Sequence, residues 1–238
     1  MPRDTVLFLP GTLCDRAVWE SQIGALSPQY DCLVADYGGA DSLAAMAESA
    51  LDAAPARFSL VGHSMGGRVA LEMMRSAPHR VARLALLDTG YQARPQGEAG
   101  EAEAAKRYRL HDIASSQGMR VMGRQWVQGM IHPDRLQDPA LIESFLMMIE
   151  RKTPDIFAAQ IRALLERPSA EAVLRAIRCP TLVLCGRQDN WSPLSRHERM
   201  TELITGASLA VIEDSGHMVT LECPASVTGH LESWLAQS

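Results

Sequence analysis

Six short apolar runs recur along the chain: Val6–Leu9, Cys32–Ala35, Phe58–Val61, Leu84–Leu87, Thr181–Cys185 and Leu209–Ile212. They are largely continuous rather than alternating, the pattern of strands buried on both faces in a parallel sheet. The stretches between them carry helical spacing: Trp19, Ile23 and Leu26; Leu43, Met46 and Ala50; Val69, Leu71, Met73 and Met74; Val227, Leu231, Trp234 and Leu235. Alternation of the two patterns predicts βαβ units and an α/β fold, a doubly wound, mostly parallel sheet with helices on both faces. The first run begins at Val6, so any edge hairpin ahead of it is expected to be missing.

One region breaks the rhythm. From Tyr91 to about Arg175 there is no convincing strand, and helix-like pieces follow Pro139 and Pro154, where proline suits a first helical turn. Leu141, Phe145, Met148 and Ile149 share one helical face, as do Ile156, Ile161, Leu164 and Leu165. Residues 1–90 and 176–238 are therefore expected to form the core, and 91–175 a helical cap inserted between late core strands. Gln92–Glu103, rich in Gly, Glu and Pro, is expected to be the most flexible segment.

Composition narrows the function. The 238 residues hold 23 Lys+Arg against 28 Asp+Glu, a formal net charge of −5. With no block of basic residues, a nucleic-acid partner is not expected. No apolar run approaches the roughly 20 residues of a membrane span, and the N-terminal run is too short for a secretory signal. The five cysteines include no C-x-x-C pair, which argues against a disulfide framework or a zinc site and suits a reducing cytoplasm. The expected setting is cytoplasmic, without membrane partner, as a monomer or homodimer.

The chemistry centres on Gly62-His63-Ser64-Met65-Gly66, a G-x-S-x-G pentapeptide with a predicted strand before it and a helix-like run after it. That context presents a serine hydroxyl on a sharp, strained turn at a helix N-terminus. A serine hydroxyl needs a base, and the base needs an orienting acid. His217 stands in the loop after the last predicted strand; His63, His79, His111, His132, His197 and His230 are read as surface or structural. Asp189 follows the penultimate strand and is the expected acid, with Asp88 and Asp214 as competitors. Oxyanion donors are expected from the backbone N–H of Met65 and, in the loop after the first strand, of Thr12, with Leu13 as runner-up.

These elements together resemble the α/β-hydrolase superfamily over about residues 1–90 and 176–238, and small capped serine esterases in particular. The order Ser64, Asp189, His217 is that of the superfamily. The resemblance implies a Ser64–His217–Asp189 triad, an oxyanion hole at Thr12 and Met65, and no cofactor. Pro10-Gly11 stands where the family often has His-Gly, so a side-chain role for that histidine is lost. Dehalogenases and epoxide hydrolases of the superfamily carry Asp at the elbow, and Ser64 argues against both. Leu9-Pro10-Gly11 with Ser64-Met65-Gly66-Gly67-Arg68 also resembles the menaquinone-pathway lyase that eliminates pyruvate, an enzyme expected to aim arginines into its cleft. Here Arg107, Arg109, Arg120, Arg124, Arg135, Arg151, Arg162 and Arg167 mostly read as solvated charges with Glu neighbours, and Arg68 as a brace for the elbow helix.

The expectation is a serine hydrolase cleaving small, largely apolar carboxylic esters through an acyl-enzyme on Ser64. Some of Met122, Trp126, Met130, Leu146, Met147, Met148 and Phe157 should line the acyl or alcohol pocket, although each could equally hold the helices on the core. A lyase or C–C-bond hydrolase, an acyltransferase and a non-catalytic small-molecule receptor are the alternatives. The balanced composition makes a neutral small molecule the simplest substrate.

Overall fold

The computed structural model describes residues 3–237. Strand β1 (Thr5–Leu9) leads through α1 (Glu20–Leu26) to β2 (Asp31–Val34), and α2 (Leu43–Ala53) to β3 (Phe58–His63). Helix α3 (Met65–Ser76) and β4 (Val81–Leu87) follow. Five helices then run in succession: α4 (Glu98–Gln117), α5 (Met119–Trp126), α6 (Pro139–Glu150), α7 (Pro154–Leu165) and α8 (Glu171–Ala176). The chain ends through β5 (Thr181–Gly186), α9 (Leu194–Leu203), β6 (Ser208–Ile212), α10 (Val219–Glu222) and α11 (Pro224–Leu235). All six apolar runs fall on strands, with Ala35 alone lying one residue past the end of β2.

The sheet is parallel throughout, in the order β2-β1-β3-β4-β5-β6. From β1 the chain builds outward to β2 and then returns to lay β3 on the other side of β1. The order therefore reverses between β1 and β3, and the crevice at the carboxyl ends of such a pair is where open α/β sheets take ligands. Strand alternation divides the core into two layers. Val6 and Phe8 of β1 face one with Trp19, Trp126, Phe145 and Trp234, while Leu7 and Leu9 face the other with Met46, Leu71 and Leu174.

Three expectations need correction. Burial on both faces holds for β3 and β5, but the edge strands β2 and β6 are only partly covered, and Leu33 remains 39% exposed. An edge strand has a neighbour on one side only. Strand β4 starts at Val81, earlier than its apolar run, and its pairing with β3 shifts register between Phe58 and Ser59. The segment expected to be flexible is half helix, because α4 begins at Glu98. The Ala- and Glu-rich stretch after Gly97 is made of strong helix formers, and their propensity outweighs one glycine inside the first turns.

Pro139 and Pro154 do open helices. Asp138 accepts the backbone N–H groups of Ala140 and Leu141, and Thr153 that of Ile156, as helix caps do. The last of the five helices, α8, packs through Val173 and Leu174 in the layer that holds α3 and α9. Among the described residues no helix is long and apolar enough to cross a membrane.

Candidate active site

Ser64 sits between β3 and α3 at φ 54°, ψ −116°, a conformation costing of order 1–3 kcal/mol for a residue with a Cβ. Two bonds hold it there. Its N–H donates to Leu87 O at 2.9 Å, and its carbonyl accepts the Thr89 hydroxyl at 2.6 Å. The elbow also requires glycine on either side. A Cβ on Gly62 would come within 2.5 Å of Gly66 O, and one on Gly66 would strike the carbonyl of Leu9.

The structure brings Ser64, His217 and Asp189 together. Ser64 Oγ lies 2.8 Å from His217 Nε2, and His217 Nδ1 lies 2.7 Å from Asp189 Oδ2. A carboxylate against Nδ1 fixes the proton there and leaves Nε2 to accept from the serine. The other oxygen of Asp189 accepts the N–H groups of Trp191 and Ser192 at 2.7 and 2.9 Å. Burial pushes the Asp189 carboxyl up, but the His217 imidazole and these backbone donors outweigh it, leaving the group below its ordinary range.

Asp88, the competing acid, is fully buried but does different work. Its oxygens accept the N–H of Gly186 at 2.9 Å and of Val219 at 3.2 Å, tying the β4 end to the two loops that carry Asp189 and His217. Burial, then the nearby Asp189 charge, drives its carboxyl well above the usual range. Asp214 turns away, at φ 52°, with its carbonyl on Arg135.

Thr12 and Met65 both line the cavity beside Ser64, and among the described residues neither backbone N–H has a protein acceptor. The runner-up, Leu13, has its N–H committed to Gln160 Oε1 at 2.8 Å. Of the remaining histidines, His63 is buried with Nε2 donating to His217 O at 2.8 Å. His197 is buried too, its Nε2 accepting the Thr89 N–H at 3.0 Å. His79 and His230 are exposed.

Two positioning groups carried no sequence signal. Glu222 is buried and accepts the N–H groups of Gly216 and Met218, which flank His217, at 3.0 Å and that of His132 at 2.8 Å. Gln160 holds the loop of Thr12 from α7.

The cavity is about 600 Å³. Trp126, Met130 and Leu110 supply apolar wall, whereas Met122, Leu146, Met148 and Phe157 are core residues and Met147 is 52% exposed. The reading of the arginines is overturned in part: Arg107 and Arg167 line the cavity, together with Arg68 and Arg196. Arg109, Arg124, Arg151 and Arg162 are exposed, as expected of solvated charges. Among the described residues no cluster of three or more His, Cys, Asp or Glu side chains is arranged to hold a metal ion.

The family model described as alpha/beta hydrolase family matches residues 6–228. The chain belongs to that family. Among its relatives is a pimeloyl-[acyl-carrier protein] methyl ester esterase of Nitrosomonas europaea, 24% identical over 92% of this chain and 90% of the relative. A 2-hydroxymuconate semialdehyde hydrolase of Pseudomonas sp. is 30% identical over 75% of this chain and 62% of its own length. Among solved structures, a thermophilic esterase from Thermogutta terrifontis superposes on this α/β-hydrolase with a TM-score of 0.84 and 27% identity, covering 98% of this chain and 90% of that one. These relatives of the α/β-hydrolase are esterases and hydrolases.

Proposed function

We propose that the protein is a carboxylic-ester hydrolase working through an acyl-enzyme on Ser64. The observation that carries this reading is the continuous line from Ser64 Oγ to His217 Nε2 at 2.8 Å and from His217 Nδ1 to Asp189 Oδ2 at 2.7 Å, opening on the cavity. Ser64 Oγ attacks the ester carbonyl while His217 Nε2 takes its proton. The developing oxyanion sits between the free N–H groups of Thr12 and Met65, the latter at the N-terminus of α3, where the helix dipole adds positive potential. His217 returns the proton to the departing alkoxide. A water molecule, deprotonated by the same nitrogen, then releases the acid. Asp189 keeps the imidazole in the required tautomer and stabilises it when charged.

The helices between Tyr91 and Arg175 act in this reading as a cap, whose Trp126 and Met130 wall the cleft against water. The esterases among the relatives support ester cleavage by this machinery, and the 2-hydroxymuconate semialdehyde hydrolase keeps C–C-bond hydrolysis as the alternative. The test is turnover of a panel of p-nitrophenyl esters, short to medium in acyl length, by the wild type and Ser64→Ala. Hydrolysis that vanishes with Ser64 supports the reading. Absence of any Ser64-dependent hydrolysis across the panel rejects it.

A further inference from the structure

The cavity beside Ser64 gathers cations from four separate parts of the chain: Arg68 from α3, Lys106 and Arg107 from α4, Arg167 from the loop after α7, and Arg196 from α9. Among the described residues Glu103 is the one carboxylate that hydrogen-bonds any of them. It receives Arg167 at 2.7 and 2.8 Å and Arg107 at 2.9 and 3.0 Å. Those pairs hold the Glu103 carboxyl at about 2 in spite of its burial. One carboxylate thus answers two guanidiniums, and the other two are left over.

Arg68 makes a single bond, from Nη1 to Gln92 O at 3.0 Å. Arg196 donates from Nη1 to Trp191 O at 3.1 Å, with Ser192 Oγ at 3.5 Å. Neither forms an ion pair among the described residues. They nevertheless converge: Arg68 Nη2 is 2.9 Å and Arg196 Nη1 3.2 Å from the point where a Cβ on Gly90 would sit. A side chain at Gly90 would press on both guanidiniums in their present positions. Burial, and then repulsion from Arg167, Arg196 and Arg107, pushes the Arg68 guanidinium down to about 9. Lys106 lies across the Trp191 ring at 4.7 Å and adds positive charge at the same wall. Like charges held close in a half-dry cleft are costly without an anion between them, and planar guanidinium forks match a carboxylate.

We propose that Arg68 and Arg196 form a subsite for a carboxylate carried by the substrate, so that the ester cleaved at Ser64 is an anionic one, such as a half-ester of a dicarboxylic acid. Arg68 stands four residues beyond Ser64, about 6 Å along the axis of α3, so a carboxylate held there lies within reach of a short chain from the scissile carbonyl. The inference rests on the esterase reading above and replaces the neutral substrate that composition suggested.

The test compares esters that differ by one carboxylate group. For the acyl side, p-nitrophenyl hemiadipate is set against p-nitrophenyl hexanoate; for the alcohol side, p-acetoxybenzoate against phenyl acetate. The wild type is expected to favour the anionic member of at least one pair by about tenfold or more in kcat/KM. Arg68→Gln and Arg196→Gln are each expected to cut that preference about tenfold, with thermal midpoints showing that the variants fold. No preference in either pair, or equal slowing of both members by the arginine variants, overturns the proposal. Should Ser64→Ala leave all hydrolysis unchanged, the esterase reading fails on its own. The subsite is then judged by calorimetric titration of adipate: binding to the wild type that weakens about tenfold in Arg68→Gln upholds it, and no binding to the wild type rejects it.

Discussion

Gln160 on α7 accepts the backbone N–H of Leu13 at 2.8 Å, so a helix between β4 and β5 fixes the loop that presents Thr12. Leu13 is itself held at φ 59°, a left-handed conformation that a leucine does not keep unaided. Replacing Gln160 by Ala should loosen the proposed oxyanion donor without touching the substrate. We expect kcat to fall about tenfold, less than the 10²–10³ typical of deleting a donor outright, with KM little changed. Affinity for a trifluoromethyl ketone, which forms a tetrahedral adduct, should fall in parallel. Weaker binding of ground-state substrate alone would contradict the assignment.

The two buried acids near His217 should separate cleanly. Asp189→Asn removes the carboxylate at Nδ1 and is expected to lower kcat by about 10⁴, with a small change in stability. Asp88→Asn leaves that contact in place and disturbs the acceptor of Gly186 and Val219, so its main effect should be on the urea midpoint. Steady-state kinetics beside denaturation decides between them, and a larger kinetic loss in Asp88→Asn would reverse the roles.

Glu222 is expected to behave as a loop clamp. Glu222→Gln turns an amide NH₂ toward backbone N–H groups that now meet carboxylate oxygen, at a cost of about 1–3 kcal/mol. Since Gly216 and Met218 flank His217, turnover should drop along with stability. Unfolding in urea together with kcat on one ester measures both.

Acid should weaken the fold through His197. Its Nδ1 faces Pro193 O at 3.3 Å and its Nε2 accepts the Thr89 N–H, a pairing open only to the neutral ring. Burial lowers its pKa from about 6.5 to about 4. The folded state therefore resists protonation that the unfolded chain accepts, and stability is lost as pH falls from about 6.5 toward 4, on the order of 2–3 kcal/mol. His63, lowered by burial as well, acts in the same direction. Urea midpoints at pH 7 and pH 5 should differ more for the wild type than for His197→Gln.

The fold was legible because each core strand is a short apolar run closed by turn residues, and the central ones keep that burial in the sheet. Ser64, His217 and Asp189 could be found for the same reason: each follows a strand on one edge, so spacing along the chain converts into proximity. The charged wall of the cavity could not. Glu103 and Arg107 read locally as an exposed i, i+4 pair, and nothing in the sequence indicates that Arg167 closes on the same carboxylate from far along the chain. Gln160 and Glu222 were hidden likewise, because their partners are backbone N–H groups, which every residue but proline possesses. The start of α4 was readable from its alanines and glutamates, and the single Gly-Pro cluster before it drew too much weight.

Residues just after α5 reach back into the His217 loop. Met130 O accepts the His217 N–H at 2.7 Å, and the His132 N–H ends on Glu222. A chimera that exchanged residues 98–165 for the helices of a relative would sever both ties and hand the imidazole to a foreign backbone. New specificities on this scaffold are thus better sought by point substitution along the cavity wall than by transplanting whole segments.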